Sequence, residues 1–314
     1  MTRWLFCLLL LFTASVSAKQ LQFKRQDLGD QIQFDYVWLD HQSQERQLSV
    51  KLDKRKLLDS FRSFKLYKPQ LANQHIMMAL QQRASTADPR EANIKIRRIS
   101  NQITIDIQSR EQQYIDKWQK ILAQTKEDGF QRYLDDNFYV EFTDTMRVKG
   151  IKPDHVKFAR ESTELVAPIA AGLHSMMVES VLIRERINLL LSWIQSIPYD
   201  TLENRLSSNG SGYAPPGRLI DDNRGDCDSK TVLMAALLHA IDPRIKMVYL
   251  FLPEHALLGI QLPLLRKERF FEYQGQKYLY VEPTGPAMIP VSEASNASLR
   301  AINNGQVTFE PVTF

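Results

Sequence analysis

The chain has little cysteine: two residues in 314, Cys7 and Cys227. Cys7 falls in the apolar run that opens the sequence, which leaves a single thiol beyond it and excludes an internal disulfide framework. Long hydrophobic runs are also missing after that opening stretch, and none approaches the roughly 20 residues that a transmembrane helix needs. Charge of one sign is missing too, with 40 basic residues against 36 acidic ones. No basic block stands out, and a nucleic-acid-binding reading has little electrostatic support. With 12 glycines, 44 % apolar residues and no internal repeat, the composition is that of an ordinary globular chain of one large domain or two smaller ones.

The opening stretch is the first positive signal. Arg3, an apolar run from Trp4 to Phe12 and the small residues of Ala14-Ser15-Val16-Ser17-Ala18 predict a secretory signal over 1–18, cleaved after Ala18. Its removal takes Arg3 with it, so 39 basic residues face 36 acidic ones and the mature charge is about +3 by the same formal count. The mature protein is expected in the periplasm or secreted, with no integral membrane segment and no nucleic acid among its partners.

Residues 21–50 alternate apolar and polar side chains, as in Ile32, Phe34, Tyr36 and Trp38, and predict antiparallel strands. Residues 54–82 read as helical with an interruption at Pro69, residues 94–107 as strand, and residues 111–134 as a helix that Gly129 breaks. Residues 138–171, with Gly150, Pro153 and Pro168, read as a join between an N-terminal region (19–146) and a C-terminal domain (147–314). An amphipathic helix is predicted from Val178 to Ile197, stopped by Pro198. A flexible loop over 207–217 leads to the remaining cysteine. After it come a helix ended by Asp242-Pro243 and four strands, at 246–252, 256–262, 270–273 and 277–281. Gln274-Gly275-Gln276 joins the last two as a hairpin. The fold class is α+β.

Cys227 stands in Arg224-Gly225-Asp226-Cys227-Asp228-Ser229-Lys230, where the apolar residues from Val232 to Leu238 start a helix just after it. A lone thiol there is a nucleophile, a metal ligand, an intermolecular bridge or a small buried residue. A helix N-terminus favours its thiolate. A thiol nucleophile needs a base and a group that orients the base. His255 is the first histidine beyond the cysteine helix and opens a strand. Glu282 ends another, and antiparallel pairing of the two strands would bring them together. Gln195 offers a side-chain amide for an oxyanion. Asp226 and Asp228 flank the thiol and suit a helix N-terminus.

The order Gly225-Asp226-Cys227, His255-Ala256 and Glu282-Pro283-Thr284, with Trp193 to Tyr199 before it, resembles the transglutaminase-like branch of the papain-like thiol enzymes. The resemblance covers about 178–290 and implies a papain-like core, a cysteine-bearing helix packed on an antiparallel sheet. It implies a triad of Cys227, His255 and Glu282. Two positions depart from the family pattern: glutamate stands at 282 where the family has aspartate, and Leu257 stands where it has an aromatic. Some bacterial members bind calcium through acidic residues around the cysteine, which puts Asp226 and Asp228 forward. Two carboxylates fall short of the six to eight oxygens that calcium takes, so no cofactor and no metal is expected.

The expected activity is attack by Cys227 on an amide of a protein or peptide in the cell envelope, giving an acyl-thioester. Hydrolysis is favoured over crosslinking because water is always present. The alternative is a noncatalytic binding or scaffolding module of the same fold.

Overall fold

Side chains two apart along residues 31–39 share one face, and that period builds the first sheet. In a computed structural model, which describes residues 18–99, 102–144, 147–177, 182–203 and 212–314, β1 (Gln20–Asp27), β2 (Gln31–Leu39) and β3 (Glu45–Asp53) pair antiparallel in that order. Ile32, Phe34, Tyr36 and Trp38 of β2 and Leu48, Val50 and Leu52 of β3 are all buried. Then come α1 (Lys54–Arg62) and α2 (Pro69–Ala84). Pro69 starts α2 rather than interrupting a helix, because the first turn has no use for its missing N–H.

A hairpin of β4 (Asn93–Ile99) and β5 (Gln102–Gln108) precedes α3 (Gln112–Asp136), which runs through Gly129 without a break. Ile94, Ile96, Ile103, Ile105 and Ile107 of this hairpin pack on Ile76, Leu80, Trp118 and Leu122 in a small core of their own.

The described residues of 138–171 are regular elements in spite of their prolines and glycine. They form a hairpin of β6 (Tyr139–Thr143) and β7 (Lys149–Pro153), followed by α4 (His155–Ser175) with Pro168 inside it. Phe158, Leu165, Val166, Ile169 and Leu173 recur at helical spacing and are buried. Burial of that stripe outweighs the one hydrogen bond that a mid-helix proline removes. The expected division at 146/147 falls within the β6–β7 hairpin, and the largest core draws on β2, β3, α4, α5 and α7 together.

In the second half, α5 (Ile183–Ser196) is buried from Arg186 to its end. Residues 178–181, where the sequence starts this helix, lie outside the described residues, as do residues 204–211 of the predicted loop. Then follow α6 (Pro216–Asp222), α7 (Cys227–Ile241), β8 (Met247–Leu252), β9 (His255–Ile260), β10 (Phe270–Tyr273), β11 (Gln276–Val281), α8 (Asn296–Asn303) and β12 (Thr308–Val312). The five strands form one antiparallel sheet in the order β10-β11-β9-β8-β12.

One face of this sheet, with Tyr249, Leu258, Leu279 and Val281, joins α7 in the main core. The other face, with Leu250, Leu257, Phe271 and Tyr280, packs against Leu299 and Ile302 of α8. The molecule is thus α+β, with eight helices and antiparallel sheets among the described residues. Among those residues no helix is long and apolar enough to cross a membrane.

Candidate active site

Cys227 is the first residue of α7, and three local features set it there. Asp226 caps the helix, its Oδ1 accepting from the Ser229 N–H at 2.9 Å. Gly225 runs beside Tyr199 in a parallel bridge. A Cβ at 225 would come within 2.7 Å of Leu219 Cδ1, so the approach requires glycine. Lys230, one turn into the helix, is fully buried and donates to Ile197 O (2.5 Å) and Thr284 O (2.6 Å). It ties the cysteine helix to the end of α5 and to the segment that leaves β11. Burial lowers its ammonium to about 7, against the opposing pull of the Asp226 carboxylate.

β9 and β11 are neighbours, with Val281 opposite Leu258. Continued by one residue, that register sets Glu282 opposite Leu257, and His255 two residues away shares its face. The His255 Nε2–H donates to Glu282 Oε1 at 2.9 Å. This tautomer leaves the lone pair on Nδ1. Glu282 accepts further from the Ser295 N–H (2.7 Å) and the Ser298 hydroxyl (3.3 Å), both at the start of α8. Burial raises its carboxyl, and the bonds from His255 and Ser295 more than offset that, leaving it below the ordinary value. Ser295 and Ser298 are positioning residues that the sequence reading misses.

The sulfur lies beside β9. The Ala256 N–H faces it and favours the thiolate. The bond that the thiol makes is to Asp228 Oδ1, at 3.3 Å, and not to His255. Cys227 is 8 % exposed. Burial pushes its thiol well up, and the Asp228 and Asp226 carboxylates add to that. The helix N-terminus was expected to favour the thiolate, but in this arrangement two carboxylates and desolvation outweigh it. Asp226 is itself raised to about 7 by burial and by the charge of Asp228.

Two side chains near the sulfur were not foreseen. Tyr199 is half-exposed, and its hydroxyl is raised by burial and by the neighbouring Cys227, Asp226 and Asp228. His155 is buried at the start of α4, with Nε2 3.6 Å from Asp228 Oδ2. Its Nδ1 accepts from the Lys152 ammonium at 3.3 Å. Burial and Lys152 hold this imidazole well below its ordinary value, and hence neutral. Neither histidine spacing nor sequence distance from Cys227 pointed to His155, which α4 brings in from 72 residues away (227 − 155).

Gln195 is not placed as an oxyanion donor. Its amide nitrogen gives both hydrogens to backbone carbonyls, Glu282 O (2.9 Å) and Ile289 O (2.8 Å), and so braces the glutamate strand from behind. Asp226 and Asp228 serve the helix cap and the thiol, and among the described residues no cluster of three or more histidine, cysteine or carboxylate side chains could hold a metal ion. Leu257 is fully buried in the core between the sheet and α8. Comparison with protein-family models, with curated proteins and with solved structures returned no match.

Proposed function

We propose that this chain is an exported thiol enzyme of transglutaminase-like type, with a papain-like core, that cleaves amide bonds of proteins or peptides in the periplasm or outside the cell. One observation carries the reading: His255 bonds to Glu282 at 2.9 Å on the strand whose next N–H, that of Ala256, faces the sulfur of Cys227. Cys227 attacks the amide carbonyl, and His255 Nδ1 takes the thiol proton and passes it to the leaving amine. Glu282 orients the ring and stabilises the imidazolium. The C–N bond breaks as the acyl–sulfur bond forms, and water then releases the acid and the thiol.

The test is interception of the thioester. The full chain is incubated with a mixed peptide library in hydroxylamine, and hydroxamates are counted by mass. Hydroxamates and new amino termini that vanish in Cys227→Ser and fall at least about a hundredfold in His255→Ala are the expected outcome. Their absence from the wild type overturns the reading.

A second reading, a noncatalytic module of the same fold, draws on a separate observation: the thiol is bonded to Asp228 and held protonated. It predicts no hydroxamate at any pH and an alkylation rate that His255→Ala leaves unchanged.

A further inference from the structure

A cleft of about 480 Å³ opens against His155 and Asp228, the two side chains that lead to the sulfur. The chemistry of the triad makes no use of it. Its lining carries four carboxyl groups, Glu141, Asp144, Asp228 and Glu310, that of Asp228 raised by burial, against one ammonium, Lys152. Lys152 is already engaged, with Glu310 Oε2 at 2.6 Å and the Phe251 ring centre at 4.5 Å. The cleft therefore presents net negative charge. The rings of Phe142, Phe251 and Phe309 form its apolar wall. Carboxylates beside aromatic faces suit an organic cation on an aliphatic stem. Among the described residues no cluster of donors is gathered tightly enough for a bare metal ion.

His155 supplies a second, independent pointer. It is 2 % exposed, and because Nδ1 accepts from Lys152, its hydrogen sits on Nε2. That nitrogen is buried without a hydrogen-bond partner, and Asp228 Oδ2 at 3.6 Å is beyond bonding reach. A buried donor left unmade costs free energy, and a ligand carbonyl at the floor of the cleft would satisfy it.

We propose that this cleft binds the side chain of a lysine or arginine residue of a polypeptide, its stem along the phenylalanine wall and its cationic head against the carboxylates of the β6–β7 hairpin, with His155 Nε2–H donating to a peptide carbonyl. The inference rests on the thiol-enzyme reading for its role as a substrate subsite, while binding itself needs no turnover. It makes the preferred substrate a basic polypeptide.

The experiment uses the full chain with Cys227→Ala, titrated with Nα-acetyl-lysine N-methylamide and with its uncharged isostere, Nα-acetyl-norleucine N-methylamide, followed by amide chemical shifts. Saturable shifts around His155, Asp228 and Phe251 are expected for the lysine compound, with affinity at least about tenfold above that of norleucine and falling as salt rises from about 0.05 to 0.5 M. The double variant Glu141→Gln, Asp144→Asn should weaken lysine binding at least about fivefold. Arginine and lysine compounds compared in the same titration decide which head group fits better.

Equal affinity for norleucine, or shifts confined to other surfaces, overturns the inference, whether or not the double variant folds. Cys227-dependent turnover of the library with no preference for basic residues overturns it as well and leaves the thiol-enzyme reading standing. Lysine-selective binding without any Cys227-dependent hydroxamate supports the basic-side-chain site and removes the enzyme reading alone.

Discussion

Asp228 touches the sulfur of Cys227 with one oxygen and lies 3.6 Å from the ring of His155 with the other. Its negative charge opposes ionisation of the thiol, in concert with burial. Asp228→Asn keeps the shape and removes the charge, and the inflection of iodoacetamide modification against pH is expected to fall by about one pH unit or more. An inflection that stays or rises would show that the carboxylate does not set the thiol's state. At this scale the sequence was informative where chemistry and chain order coincide. Cys227, His255 and Glu282 are polar residues at the ends of apolar elements, and strand pairing brings the latter two into contact. His155 and Tyr199 carried no such mark, because their relation to the sulfur exists only after α4 and the Tyr199–Gly225 bridge have packed. Gln195 carried a misleading one, since a buried amide at a helix end serves a backbone carbonyl as readily as a reacting oxygen.

Among the elements, α8 is the one whose influence on the site exceeds its size. Its cap residue Ser295 and first-turn Ser298 both bond to Glu282, and the two hydroxyls lie 2.8 Å apart. Ser298→Ala is expected to cost about 1 kcal/mol of stability in urea unfolding, the usual net value of a buried hydrogen bond. No loss would mean that the glutamate is held by the Ser295 N–H and the imidazole alone. The strands β2 and β3 were legible by their alternation, and β8, β9 and α7 as continuous apolar runs whose lengths, short for the strands and long for the helix, told them apart. α4 was not, because Pro168 masks its stripe. β12 was not, because its alternation is half-buried at a sheet edge and includes Pro311.

For the molecule as a whole, the buried carboxylates divide the acid range between them. Glu282 has its folded value lowered, so its contribution is present above the ordinary glutamate value and is lost as pH falls through the lowered one. Asp226 is raised from 3.8 to about 7, so the sign reverses: its contribution is complete below about pH 4 and is lost as pH rises through 7. Asp226→Asn, which can still cap α7, is expected to flatten the decline in urea midpoint between about pH 4 and 7. A decline of undiminished slope would place its origin elsewhere.

The order in which the chain is synthesised also acquires a meaning. All three residues of the expected triad have been made by residue 282, yet the two serines that hold the glutamate follow at 295 and 298. The wall of the cleft that includes Phe309 and Glu310 comes later still. A nascent chain would therefore contain the thiol, the imidazole and the carboxylate before it contained the serines that hold the carboxylate. The bonds that fix Glu282 thus wait on α8, and the last strand then pairs along the edge of β8.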